Sequence, residues 1–229
     1  MSKIEAETLR TVHPIGSRPV HPIPQVNCTV GLDSFAITDT RSRHNDTDFV
    51  TVSVAVGSQT PQSQTRSLGD LNNGNYPLNM HFHVSLLPTD IVVLTYAMVN
   101  NGHTAPGTVE QSLEKGIQGL ASTGAQIAAK EASTAIGTAL GASIGTAALP
   151  VIGTALGALS GFLVGGVFGL IFADCDGPVA AGVHALTGAQ IQAAIAGGHG
   201  LTHIDDHPGV DSSDGCGSNS HYTVTWSVH

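Results

Sequence analysis

The chain has 229 residues, with 17 Asp and Glu against 8 Lys and Arg, and a formal net charge of −9. That length suits one or two domains with a sizeable core. The shortage of basic residues excludes the patch of a nucleic-acid binder and the polybasic segment that holds a chain to anionic lipid.

Met1 to Val12 mixes Lys3, Glu5, Glu7 and Arg10 with few apolar residues. It has no apolar core and is no Sec signal peptide. The expectation is a chain made in the cytoplasm, exported if at all by a non-Sec route, and inserted in a target membrane. Residues 1–25 end in a proline-rich run that favours extended backbone and reads as an arm. Strand patterns follow. Val26 to Thr38 alternates with a shift at Asp33 and Ser34 that predicts a bulge. Phe49 to Val56, Asn79 to Leu87 and His221 to His229 alternate apolar and polar residues, as half-buried antiparallel strands do. Ile91 to Val99 is apolar on both faces and reads as a central, covered strand. Gly57 to Pro77, rich in turn residues, reads as a long loop.

The helical pattern begins near Thr108. Thr108 and Gln111 have capping-box spacing, and Glu110 and Glu114 suit the positive end of a helix. Residues 132–173 then hold no Asp, Glu, Lys or Arg. Glycine recurs there every fourth position: Gly137, Gly141 and Gly145, then, beyond Pro150, Gly153, Gly157, Gly161, Gly165 and Gly169. Residues four apart line one helix face, so each row forms a groove along which two backbones approach closely, as helices do in lipid. Pro150 cannot continue a helix without a kink and marks the turn of a helical hairpin. As a helix, 151–172 is about 33 Å long, near the roughly 30 Å of a bilayer's hydrocarbon. Its large apolar side chains contribute about −4 to −7 kcal/mol to insertion, and those of 132–149 only about −1 to −2 kcal/mol. That balance suits a segment docked in one state and inserted in another. The arrangement resembles the hydrophobic helical hairpin of pore-forming colicins and the glycine-zipper helices of membrane-inserting bacterial effectors. The resemblance implies membrane insertion.

Asp174-Cys175-Asp176-Gly177-Pro178 returns the chain to loop, Val179 to Leu186 reads as a strand, and Thr187 with Gln190 opens a short helix that stops at Gly197-Gly198. Residues 199–220 read as a polar loop. The predicted fold is α+β: an antiparallel β-sandwich-like domain over 26–107 and 174–229, interrupted by a long Gly/Ala-rich α-helical hairpin over 108–173. Cys28, Cys175 and Cys216 have no CxxC spacing. Reduced buried or loop cysteines are the expectation, and one bridge with a spare thiol is the other reading.

The chain has 12 His. His81 and His83 share the outward face of one strand; His203 and His207 flank Asp205 and Asp206, near His199; His44, Asp46 and Asp48 open another strand. Imidazole with carboxylate suits zinc or a similar divalent ion, so His81, His83, His203 and His207 are the candidate ligands. Protonation of exposed histidines in mild acid would also shift the chain from negative toward neutral. The acidic run from Asp205 to Asp214 lacks EF-hand spacing and reads as turns and caps. No HExxH and no GK[ST] loop is present, so no cofactor and no catalytic residue is expected. The functional expectation is a non-enzymatic, membrane-inserting, pore-forming or permeabilising protein of toxin or antibacterial-effector type, homo-oligomeric in a lipid bilayer. The alternative is a soluble oligomeric structural or binding module whose hairpin is a packed helical core and whose His-rich β face binds a ligand or ion.

Overall fold

A computed structural model of the chain describes residues 25–42, 46–138, 175–209, 216 and 220–229, with backbone alone over 131–138. The described elements, in order, are β1 (Val26–Asp39), β2 (Asp46–Val56), β3 (Gln62–Leu71), β4 (Gly74–Leu86), β5 (Ile91–Asn100), α1 (Pro106–Thr138), β6 (Gly177–Thr187), α2 (Gly188–Ala196), β7 (Leu201–Pro208) and β8 (His221–Val228). The strands form two antiparallel four-stranded sheets. Sheet 1 has the order β4-β1-β8-β7 and sheet 2 the order β3-β2-β5-β6.

Alternation builds the layer between the sheets. Val50, Val52, Val54 and Val56 of β2 and Val92, Leu94, Tyr96 and Met98 of β5 meet Met80, Phe82, Val84 and Leu86 of β4 and Tyr222, Val224, Trp226 and Val228 of β8. β1 contributes Cys28, Val30 and Leu32, then Phe35 and Ile37. Its register shifts between Leu32 and Ser34 against both neighbours, so the bulge expected at Asp33 switches the parity and keeps both halves facing the core.

The other face of sheet 2 lies under α1. Val109, Leu113, Ile117 and Leu120 pack on Phe49, Ala97 and Val99. Ala121, Ala125 and Ala128 continue the same stripe over Ala55, Ile91 and Val93. All ten residues of β5 are buried, as expected for a strand covered on both faces. α1 starts two residues before the predicted Thr108. The helical hairpin is represented by this one long helix. Its second arm, the turn at Pro150 and every zipper glycine except Gly137 lie outside the described residues. Among the described residues no helix is long and apolar enough to cross a membrane.

Two predicted loops contain strands. β3 lies within the expected 57–77 loop and β7 within the expected 199–220 loop. Each is an edge strand with few fully apolar positions, so neither shows the alternation that marks a half-buried strand. β3 also closes one margin of the sandwich. Gln64 Nε2 donates to the His81 carbonyl at 3.1 Å and Arg66 Nη1 to the Leu78 carbonyl at 2.8 Å, which covers the edge of β4. α2 carries the expected capping box between Thr187 and Gln190 and ends at Gly197.

Candidate functional site

Polar side chains gather at four places on this framework. The first is the base of the insertion between β5 and β6, where Asn100 pairs with Gly177 in the ladder. The Cys175 carbonyl accepts from Arg41 Nε at 2.9 Å and from Asn100 Nδ2 at 3.2 Å. Asp176 accepts from the Gly102 amide at 2.9 Å and pairs with His103 Nδ1 at 3.0 Å. Cys175 is disulfide-bonded to Cys216, 41 positions along the chain. The expectation of reduced cysteines is thus corrected: the fold brings these two together from distant loops, and Cys28 remains a buried free thiol. Burial pushes the Cys28 pKa up to about 11, so it stays an inert neutral thiol.

The second place is the margin where β6 and β7, the edge strands of the two sheets, face each other. Gly182 stands opposite Tyr96 in the ladder, and a Cβ there would lie 2.4 Å from the tyrosine ring. The absent side chain lets Tyr96 extend over β6. Its hydroxyl donates to Asp205 Oδ2 at 2.5 Å and lies 2.8 Å from His207 Nε2. Having given its one proton to Asp205, it accepts from His207, which fixes the Nε2–H tautomer there. His184 Nε2 donates to the same carboxylate oxygen at 2.6 Å, and His203 Nε2 lies 3.4 Å from Asp205 Oδ1. Trp226 packs on His184 and His203 at centroid distances of 4.5 and 5.5 Å. Burial works to raise the Asp205 pKa, but the hydrogen bond and charge of His184, the Tyr96 hydrogen bond and the His203 charge outweigh it and hold the carboxyl below its ordinary value. Burial lowers the His207 pKa, against the pull of Asp205 and Asp206.

At the third place a buried acid pair shares one tyrosine. The Tyr222 hydroxyl lies 2.6 Å from Asp46 Oδ2 and 2.9 Å from Asp48 Oδ2. Asp46 also accepts from the amides of Arg41 at 2.5 Å and Ser42 at 2.7 Å. Asp48 Oδ1 is buried without a hydrogen-bond partner among the described residues. The Tyr222 hydroxyl thus donates toward two carboxyl groups at once. Burial, then the Asp46 charge, raises the Asp48 pKa well above its ordinary value, against the Tyr222 hydrogen bond, which works to lower it.

The fourth place is a cleft of about 250 Å³ on the outer face of sheet 1, lined by Asn27, Cys28, Thr29, His83, Val84, Ser85 and His229.

The candidate ligands divide between these places. His81 and His83 share the outer face of β4, as expected, but His81 Nε2 is held 2.8 Å from Asp33 Oδ1, which also accepts from Ser227 Oγ. His203 and His207 share the inner face of β7 with Asp205. β4 and β7 are opposite edges of sheet 1, so the two pairs do not form one site. Among the described residues no three His, Cys, Asp or Glu side chains are arranged to hold a metal. His184, Tyr96, Tyr222 and His229 escaped the sequence reading. Their parity places each on a particular sheet face, but their partners come from strands distant in sequence. Of the glycine row only Gly137 is placed, in the backbone of α1. No protein-family model matches the chain, and no curated protein matches it.

Proposed function

We propose that the chain is a membrane-active protein in which the β-sandwich carries the uncharged segment 132–173 to a bilayer, where glycine-row packing between copies permeabilises it. The observation that supports this reading is the point of insertion. β5 and β6 are neighbours in sheet 2, so the whole connection from Asn101 to Asp176 is an excursion from a single ladder. Its departure costs neither sheet a strand pair. The docking of α1 also lightens toward the uncharged segment, from Leu113, Ile117 and Leu120 to Ala121, Ala125 and Ala128. A buried Leu or Ile contributes about 1.5–3 kcal/mol, and an alanine much less. The disulfide keeps the far end of the excursion fixed and fits a chain that works outside a reducing cytosol.

The test is dye release from anionic liposomes by wild type and by the double variant Gly157→Leu, Gly161→Leu. The added side chains fill the groove while raising hydrophobicity. Release by wild type that the variant loses supports the zippered pore; equal release by both removes the glycine rows from the mechanism.

The cleft on the outer face of sheet 1 favours a second reading, a ligand-binding module. Such a module stays at the bottom of a gradient from which liposomes float.

A further inference from the structure

We propose that the cleft on the outer face of sheet 1 is a binding site for a divalent transition-metal ion, held by the imidazoles of His83 and His229. This inference stands independently of the membrane reading.

The register builds the site. Thr29 of β1 pairs with His83 of β4, and the Thr29 and His229 backbones exchange hydrogen bonds of 2.8 and 2.9 Å. His83, Thr29 and His229 therefore form one row across three adjacent strands, with the short threonine in the middle and an imidazole on either side. Strands lie about 4.8 Å apart, so the outer two backbones are about 10 Å apart, a span two inward-leaning histidines can close on one ion. The same cleft holds the side chains of Asn27 and Ser85, which are bonded to each other. No described element lies over the cleft, whereas the corresponding face of sheet 2 is covered by α1.

The state of the imidazoles separates this pair from the other histidines. His81, His103, His184, His203 and His221 each sit against an aspartate, and His207 is bonded to Tyr96. Among the described residues His83 has one long contact, Nδ1 to Thr29 Oγ1 at 3.4 Å, and none at Nε2. Neither ring nitrogen of His229 has a hydrogen-bond partner among the described residues. His199 is unpaired too, but it lies in the turn after α2, away from the cleft. Imidazole nitrogens with open lone pairs suit zinc, copper or nickel, and the ion would complete its shell with water in this open cleft. The pair differs from the spacing visible in the sequence: His83 takes its partner from the residue after β8, because Asp33 holds His81.

The test is isothermal titration of the full chain with Zn²⁺ alone at pH 7.5. One site per chain is expected. His83→Ala and His229→Ala should each weaken binding about tenfold or more, while His81→Ala and the double variant His203→Ala, His207→Ala retain it. No binding by wild type, or binding that survives loss of both His83 and His229, overturns the proposal. Both substituted residues are exposed on a sheet face, and circular dichroism verifies that the variants fold.

Discussion

Tyr222 is the point at which single protons decide stability. The folded chain keeps on Asp48 a proton that the unfolded chain releases above the ordinary carboxyl value of 3.8. The stability contributed by this group is therefore fully present below that value and is lost as the pH rises toward the folded pKa, by about 1.4 kcal/mol per pH unit. Asp48→Asn keeps an acceptor for the tyrosine hydroxyl and cannot ionise. It should raise the melting temperature at pH 7–8, leave it nearly unchanged at pH 4, and flatten the slope between; an unaltered slope would place the buried proton elsewhere. His207 acts in the opposite direction. Its depressed pKa means that the unfolded chain takes up protons below about 6.5 that the fold refuses, so this contribution is lost as the pH falls. Part of this was legible. Asp46 and Asp48 have the same parity as Val50 and Val52, which already places them on the core side, although the sequence reading sets them beside His44 as a carboxylate group suited to an ion. Their Tyr222 partner lies 174 positions beyond Asp48, and no local pattern reports that pairing.

Among the elements, α1 carries the link between the sandwich and the uncharged segment. Leu113 is fully buried beneath it, and Leu113→Ala should cost about 2–5 kcal/mol. Hydrogen exchange should be graded along the helix, slower over 109–120 than over 121–130, because alanine contacts hold the second stretch. Uniform protection would show that docking does not weaken toward the segment. The elements legible in the sequence are those whose burial is one-sided or complete. β2, β4, β5 and β8 show it through alternation or continuous apolarity, α2 through its capping box, and β1 through a bulge that displaces its apolar residues by one. β3 and β7 were not legible, because sheet-edge strands such as Gln62–Leu71 and Leu201–Pro208 are stabilised by ladder hydrogen bonds and cross-strand polar contacts that leave no periodicity.

At the scale of the whole molecule, a cross-linked sandwich presents one long excursion. The Cys175–Cys216 bridge ties the end of that excursion, at β6 of sheet 2, to the connection between β7 and β8 of sheet 1. Closing a loop of this length contributes about 4 kcal/mol in the chain-entropy description. Cys175→Ser with Cys216→Ser should lower stability by roughly that amount and leave the strand content intact; an unchanged melting temperature would make the bridge dispensable. The central claim is that the uncharged segment enters lipid, and it is tested most directly by an environment-sensitive fluorophore on a cysteine introduced at Leu159, with Cys28 replaced by Ser. On adding anionic vesicles, the account predicts a blue-shifted emission that a quencher within the acyl chains suppresses. An emission spectrum that vesicles leave unchanged, with the quencher without effect, would contradict it.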